Sequence, residues 1–386
     1  MTGRGDASGD HPPVSLAQVF WLFLRLGVTA FGGPAAHIAL LHDEVVRRRK
    51  WITDRDFGEL IALTNLIPGP NSTEMAIHVG RRVAGWAGFF IAGACFIVPA
   101  ALMVGGLAVL YTRYGTTPDA RALLWGVTPV VVAIVAHAVV QLSLRTLQPL
   151  ILVGLAVVCA LLALFGVNEL VLLAAAGTAM LLLRSRGGVV GVLSTLASIA
   201  AVSIANAPIP EFSLTRLALF FLKVGSVLFG SGYVLLAFLR TDLVERWGWL
   251  TDQQLIDAVA AGQITPGPLF TSATFVGYLL GGWTGAALAT AAIFAPAFAF
   301  VALTGPLFAR LKNNPAFVAF LSGVLAASLG LMAAVAVELG RAVVGDLVQL
   351  ALLTAALLAL MRWKVNAALL IVAGASAGIL RAVLGS

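Results

Sequence analysis

Two segments of the chain repeat one another closely: residues 23–33 read FLRLGVTAFGG, and residues 221–231 read FLKVGSVLFGS. The same register continues downstream without a gap, so that the Pro-Gly-Pro at 68–70 falls on the Pro-Gly-Pro at 266–268. After a slip of one residue, the Gly-Trp pair at 85–86 matches the pair at 282–283. Self-similarity that keeps its register over such a distance marks a duplicated unit. The chain is therefore predicted to contain two homologous modules.

The composition places both modules in a membrane. Of the 386 residues, 60% are hydrophobic and only 11% are charged, whereas a soluble domain carries roughly 25% charged residues. A spanning helix needs about 20 mainly apolar residues. Long apolar runs of this kind cover residues 88–110, 122–144, 149–165, 170–183 and 285–308. Because period-two alternation is missing, the pattern disfavours an outer-membrane barrel and predicts an all-α polytopic membrane protein.

The repeat also predicts how the chain is divided. The first module covers residues 15–186 and the second covers residues 212–386. Residues 1–14 are expected to form a disordered cytoplasmic tail, since they lack the apolar core of a cleavable signal. Residues 187–211 match neither repeat, and they are expected to form either a linker span or an extracytoplasmic loop.

Basic residues indicate that the modules are inverted relative to each other. The first module carries Arg47, Arg48, Arg49 and Lys50 after its first apolar segment, whereas the matching loop of the second carries only Arg240 and Arg246. Cytoplasmic loops collect Lys and Arg, so loops of unequal charge are expected on opposite sides of the membrane. This predicts inverted-topology repeats whose broken helices meet near the midplane.

Each module contains two places where a regular membrane helix must break. Proline removes a backbone donor and clashes with the preceding turn, so each Pro-Gly-Pro ends one helix and can begin another. A helix start leaves N–H groups unpaired and carries partial positive charge, which suits an anion. The expected substrate-binding residues are Phe31, Gly32, Gly33, Pro34, Asn65, Pro68, Gly69, Pro70, Asn71, Ser72 and Thr73 of the first module and Gly230, Ser231, Gly232, Gln263, Pro266, Gly267, Pro268, Thr271 and Ser272 of the second. A purely structural kink is the alternative reading of each break.

Ionisable residues inside apolar segments are functional candidates. Arg25 and Lys223 occupy equivalent positions, where either could attract an anion or extend to the lipid headgroups. Arg81 and Arg82 are further sources of positive potential.

Two residues of the first module have no titratable counterpart in the second, and both are candidates for proton coupling. They are His37, matched by Leu235, and Glu74, matched by Ser272. A salt bridge from Glu74 to Arg81 or Arg82 is the competing expectation for that carboxylate.

Other features of the sequence exclude competing functions. The net charge of +7 does not predict a nucleic-acid partner, because Lys and Arg stand at the ends of apolar runs where topology places them. No catalytic, metal or cofactor site is expected, since HExxH, paired CxxC and Walker motifs are missing. The segments Thr53-x-x-Asp56 and Thr251-x-x-Gln254 are interpreted as helix-capping motifs.

At these motifs the sequence resembles the chromate ion transporter family in its long, two-domain form. The resemblance rests on the Phe-Gly-Gly-Pro at 31–34 with His37, on the Trp-Ile-Thr-Asp at 51–54, and on the two Pro-Gly-Pro segments. It implies two antiparallel homologous halves and efflux of chromate from the cytoplasm, with sulfate as a related dianion. The second module departs from the pattern, because it reads Gly-Ser-Gly-Tyr-Val-Leu at 230–235.

The sequence thus predicts a multi-pass inner-membrane exporter of chromate, driven by the proton motive force and conferring chromate resistance. The alternatives are a transporter of sulfate or another oxyanion, and a membrane scaffold without transport activity. The expected partners are chromate, sulfate, protons and the lipid bilayer, and a homodimer is the expected form of any self-assembly.

Overall fold

The structure, a computed structural model, describes residues 14–31, 33–148, 150–184, 211–229, 232–303, 314–343, 345–363 and 365–384. Within these ranges the regular structure is helical and no strand occurs. The helices of the first module are α1 (Leu16–Thr29), α2 (Gly33–His42), α3 (Asp54–Thr64), α4 (Asn71–Tyr114), α5 (Pro118–Thr146), α6 (Leu150–Leu164) and α7 (Glu169–Arg184). Those of the second are α8 (Leu214–Val227), α9 (Leu235–Phe238), α10 (Asp252–Ile264), α11 (Ser272–Leu303), α12 (Pro315–Val343), α13 (Leu347–Trp363) and α14 (Ala367–Leu384).

Short non-α turns complete each module. A π-helical turn at Asp43–Arg48 follows α2, and its counterpart at Leu239–Arg246 follows α9. The predicted caps are confirmed, because the Thr53 and Thr251 side chains accept hydrogen bonds from the backbone of the third residue of α3 and α10. Nearly all of the predicted tail and nearly all of the predicted linker lie outside the described residues.

Several helices are suited to a membrane. In the part of the chain that the structure describes, five segments are long and apolar enough to cross one, namely Asn71–Tyr114, Pro118–Thr146, Leu269–Leu303, Pro315–Arg341 and Ala367–Leu384. Large apolar side chains such as Phe90, Leu102 and Leu161 are exposed on the outside of the bundle, where lipid would cover them. The prediction of an all-α polytopic membrane protein is confirmed.

Helix α4 is broken sharply inside its length. A straight helix of its 44 residues would be roughly 66 Å long, about twice the hydrocarbon thickness of a bilayer. Non-helical dihedrals at Ala84 (φ −142°, ψ 23°) and Gly85 (φ 61°, ψ −149°) interrupt it. The chain folds back there, because Gly80 packs directly against the carbonyl of Gly88.

The same break occurs in α11 at the equivalent positions. Gly281 has φ −144° and ψ 22°, and Gly282 has φ 60° and ψ −153°. Gly277 packs against the Gly285 carbonyl, as Gly80 does against that of Gly88. The one-residue slip that aligned the two Gly-Trp pairs is therefore a structural correspondence, and the two modules share one chain path.

Equivalent helices of the two modules run in opposite directions. Trp283, at the start of the second half of α11, lies against Gly105, which is late in α4. Phe298, late in α11, lies 5.4 Å from Phe89 between ring centroids, and Phe89 is near the break of α4. Parallel helices would bring equivalent positions together instead. The two modules are therefore inverted repeats, as predicted.

Close helix contacts at glycine residues hold the modules together. Gly126 of α5 packs on Gly374 of α14, and its repeat counterpart Gly323 of α12 packs on Ala176 of α7. A side chain at either glycine would overlap the backbone of the opposite helix. Small residues permit this close approach in membrane helices. The two equivalent contacts, α5 with α14 and α12 with α7, each join a helix of one module to a helix of the other.

Candidate functional site

The two Pro-Gly-Pro breaks bond to the opposite module. The Gly69 amide donates a hydrogen bond to the Leu228 carbonyl (2.8 Å), and the Gly267 amide donates to the Ala30 carbonyl (2.9 Å). Leu228 is the C-cap of α8, and Ala30 is the C-cap of α1. Each proline break is therefore joined to the first helix of the other repeat, and all four chain breaks lie at the boundary between the modules.

The backbone at these breaks requires glycine. Gly69 has φ +139° and Gly267 has φ +97°, a region that side chains other than hydrogen strongly disfavour. Their amides were expected to serve an anion, and the structure uses them differently. Protein carbonyls occupy both donors, because a buried N–H without a partner costs free energy comparable to a lost hydrogen bond.

We call the two proline breaks, joined to the opposite module by the bonds from Gly69 to Leu228 and from Gly267 to Ala30, the crossing. A large cavity with a volume of about 890 Å³ opens beside it. It is lined by both modules and by the ends of the broken helices. The sequence-predicted residues that line it are Phe31, Gly33, Pro34, Asn65, Asn71 and Gln263. The side-chain amide of Asn71 donates to the Asn65 side chain (2.9 Å), which fixes one pair of polar groups at the cavity wall.

The remaining predicted residues of the breaks lie away from the cavity lining. Ser72, Thr73, Thr271 and Ser272 are buried in helix packing, each with an exposed fraction of 5% or less. Pro68, Gly69, Pro70, Gly232, Pro266, Gly267 and Pro268 form the crossing itself or pack around it. Gly32, Gly230 and Ser231 lie outside the described residues.

Helix α5 supplies polar residues that the sequence reading did not single out as substrate ligands. His137, Gln141 and Arg145 line the cavity, and their spacing of four residues places them on one helix face. That spacing, in an otherwise apolar span, is the signal that could have identified them. Tyr233 and Asn366 of the second module also line the cavity.

The charge of the lining is one-sided. Arg145 has no ion-pair partner among the described residues, and no Asp or Glu occurs among those lining the cavity. The other polar lining groups are amides, hydroxyls and an imidazole. The cavity can therefore surround an anion with hydrogen-bond donors without opposing it by a fixed negative charge.

The predicted electrostatic residues are occupied elsewhere. Arg25 pairs with Glu44 (2.6 Å), and its counterpart Lys223 pairs with Asp242, so the repeat preserves the whole ion pair. Arg82 pairs with Asp56 (2.7 Å). Arg25 and Arg82 tie helices within their own module, Lys223 also lies 3.5 Å from Glu169 of the other module, and none of the three lines the cavity.

Arg81 instead connects the two modules. Its guanidinium donates to the carbonyls of Val301 (2.7 Å) and Ala302 (3.0 Å) at the end of α11. It also lies over the Trp86 ring, 4.4 Å from the centroid. A cation at the last carbonyls of a helix complements its negative end, so this residue stabilises the packing between the modules.

His37 and Glu74 both lie at the crossing. The His37 Nε2 is 3.0 Å from the Ala30 carbonyl oxygen, which also accepts from Gly267. Glu74 is fully buried against Gly69, and neither carboxylate oxygen has a partner among the described residues. The expected salt bridge to Arg81 or Arg82 does not form, because both guanidinium groups have other partners.

Comparisons with known proteins agree with this two-module architecture. The family model of chromate transporters matches the chain twice, over residues 17–181 and 215–379. A chromate transport protein of Cupriavidus metallidurans is 33% identical over 95% of the chain and 92% of its own length. A chromate transport protein of Pseudomonas aeruginosa is 35% identical over the same shares. A probable chromate transport protein of Synechococcus elongatus is 32% identical over 87% of this chain and 88% of its own. No solved structure matches the chain.

Proposed function

From the premise that this chain belongs to the chromate transporter family, we propose that it exports chromate from the cytoplasm through the cavity between its modules. The membrane is the cell inner membrane, and the resulting phenotype is chromate resistance. One observation carries the proposal: the cavity is lined by Arg145 and neutral donors from both repeats, with no carboxylate among the described lining residues.

The chemistry of the lining suits a tetrahedral oxyanion. Chromate presents four acceptor oxygens and two negative charges, so it needs several donors at once. The side chains of Asn65, Asn71, Gln141 and Gln263 supply neutral donors, and Arg145 supplies one positive charge. A single compensating charge leaves binding weak enough for release, whereas a cluster of arginines would retain a dianion.

The membrane potential favours the outward direction. Each charge that moves across the membrane contributes about 2.3 kcal/mol per 100 mV, so a dianion leaving a cell that is negative inside gains roughly 4–5 kcal/mol at 100 mV. Uptake would have to overcome the same quantity. Electrical driving therefore supports efflux before any proton is coupled.

Glu74 is the residue that we assign to proton coupling. Its side chain is buried from water and has no cationic partner among the described residues. An ionised carboxylate in such surroundings is costly in free energy. It touches Gly69, so gain or loss of a proton acts directly at the crossing of the modules. His37 is the alternative, since its ring bonds to the Ala30 carbonyl at the same crossing.

Counterflow of labelled chromate into proteoliposomes tests the proposal. Flux is measured at two imposed potentials and two pH gradients, with protein-free liposomes as the reference. We expect saturable chromate flux that rises with the potential that drives a dianion and that responds to the pH gradient. Chromate flux equal to that of protein-free liposomes would reject the proposal.

Sulfate is the second candidate substrate. The cavity of about 890 Å³ is larger than one tetrahedral oxyanion needs, so its size does not exclude other dianions of the same shape. Competition of labelled chromate with sulfate, molybdate and phosphate separates the two assignments. A sulfate flux that exceeds chromate flux at equal concentration would make sulfate the substrate.

A further inference from the structure

A second and much smaller cavity, about 170 Å³ in volume, occupies the position that repeat symmetry assigns to the counterpart of the large one. Four of its lining residues on α12 are Leu331, Ala334, Val335 and Glu338. Their repeat counterparts on α5, which line the large cavity, are Ile134, His137, Ala138 and Gln141. Val167 and Val365 correspond in the same way. The same helix face thus lines the large cavity in α5 and the small cavity in α12.

Ion pairs close the small cavity. Arg240, only 9% exposed, pairs with Glu338 on α12 and with Glu245 of its own π-helical turn, and it also pairs with Asp252 (2.8 Å). Glu245 and Glu338 both line the cavity. The pair with Glu338 therefore joins the π-helical turn Leu239–Arg246 to α12 across the cavity wall.

A second set of ion pairs joins the two modules at this place. Glu169, at the start of α7 in the first module, lies 3.5 Å from Lys223 and 3.4 Å from Arg246 of the second. Glu169 is 1% exposed, and Arg246 lines the small cavity. Partly desolvated charges interact strongly, so these contacts resist separation of the modules on this side.

The open side lacks the same locks. By repeat register His42 stands at the place of Arg240, and it keeps the corresponding pair with Asp54 (2.8 Å). Gln141, however, stands in place of Glu338, and Ala367 stands in place of Glu169. Neither of these two side chains carries a charge. The counterparts of the Arg240–Glu338 pair and of the Glu169 pairs between the modules therefore cannot form around the large cavity.

We infer that the small cavity is the far half of the transport path and that three ion pairs, Arg240 with Glu338, Glu169 with Lys223 and Glu169 with Arg246, form the gate that closes it. The inference rests on the proposed function for the nature of the cargo, an oxyanion. Inverted repeats move a substrate by exchanging the conformations of their two halves. Opening the gate lets the small cavity take the shape of the large one, while the large one closes.

Cysteine accessibility tests the gate without any transport assay. In a background with Cys95→Ala and Cys159→Ala, single cysteines are placed at the counterpart positions as Ala138→Cys and Val335→Cys. A membrane-impermeant maleimide is applied to right-side-out and inside-out vesicles. We expect Ala138→Cys to react from one face only, and Val335→Cys to react slowly from both faces.

Glu338→Gln is then added to each cysteine variant. Arg240 keeps Glu245 and Asp252 as partners, so the substitution removes the closing contact without isolating the arginine. We expect the labelling rate of Val335→Cys to rise roughly tenfold or more, from the face opposite to that of Ala138→Cys, while labelling of Ala138→Cys falls. Glu59→Gln, at an exposed pair with Arg55, is the matched control and leaves both rates unchanged.

Glu169→Gln tests the same gate from the first module and replaces Glu338→Gln if that variant does not fold. If a gate variant accelerates the labelling of Val335→Cys from the same face as Ala138→Cys, the inference is overturned, and an unchanged labelling rate in a folded gate variant would overturn it too. These readouts do not depend on chromate. A protein that carries no chromate but shows the alternating labelling would refute the proposed substrate and leave the gate standing.

Discussion

The Gly69 amide lies 2.8 Å from the Leu228 carbonyl oxygen, and this hydrogen bond ties the proline break of one module to the first helix of the other. Its mirror image joins Gly267 to Ala30 at 2.9 Å. The repeat symmetry exchanges the two bonds, so each proline break is bonded to the first helix of the opposite module. The crossing therefore links the two halves beside the large cavity.

Alanine at either crossing glycine is expected to abolish most transport. Gly69→Ala and Gly267→Ala force a side chain into positive φ, which costs about 1–3 kcal/mol, and they place a methyl group against Glu74 or Ala100. We expect chromate flux in proteoliposomes to fall about tenfold or more. Gly58→Ala is the control, since no described atom outside its own helix backbone lies within 4 Å of a methyl group placed there. Wild-type flux in both crossing variants would contradict this role.

Arg145 is expected to set the affinity of the cavity for a dianion. Arg145→Gln removes the only Lys or Arg among its described lining residues, and a lost charge-assisted hydrogen bond costs about 1.5–3 kcal/mol. We expect the KM for chromate to rise about tenfold or more. Arg121→Gln, at the other end of the same helix and away from the cavity, should leave the KM unchanged. An unaltered KM in Arg145→Gln would remove this residue from the substrate path.

Glu74→Gln is expected to separate the two driving forces. The amide fits the same buried space but cannot exchange a proton, so flux should still respond to the membrane potential and should lose its response to the pH gradient. Flux is compared at two potentials and two pH gradients, with Glu59→Gln as the surface control. A full response to the pH gradient in Glu74→Gln, together with its loss in His37→Gln, would transfer the coupling to His37.

The close contact between α5 and α14 at Gly126 is expected to contribute to the thermal stability of the folded protein. Gly126→Ala places a methyl group against the backbone of Gly374 and Gly378, and overpacking of this kind typically costs about 1–3 kcal/mol. We expect a lower Tm of the detergent-solubilised protein. Gly106→Ala lies in α4, where no described atom outside its own helix backbone is within 4 Å of the added methyl group, and it should keep the wild-type Tm or raise it slightly. Equal Tm values for the two variants would show that the contact between α5 and α14 tolerates a side chain.

Much of the architecture could be predicted because its causes are local. Proline and glycine break a helix wherever they stand, so the broken segments could be placed from the Pro-Gly-Pro pairs alone. The repeat register then related each predicted break of one module to a break of the other, whereas the further break at Gly85 and Gly282 was not predicted, although the two Gly-Trp pairs had been aligned. The uneven distribution of Lys and Arg predicted the inversion of the modules.

The use of each polar group could not be predicted in the same way. The crossing amides were expected to bind an anion, yet Gly69 and Gly267 donate to carbonyls that are far away in the chain. Arg25 and Lys223 were candidates for attracting an anion, yet each pairs with a carboxylate of its own module. The partner of a buried donor or charge depends on which distant segment packs against it.

The sequence by itself determined the membrane class, the duplication, the inverted arrangement and the sites of the helix breaks, because hydrophobicity and backbone sterics act over a few residues. Only the tertiary structure decided that His137, Gln141 and Arg145 face the cavity, that Glu74 is buried with no partner among the described residues, and that one side is closed by ion pairs. Those properties arise from contacts between helices of opposite modules, and burial and electrostatic pairing exist only once both modules are packed together.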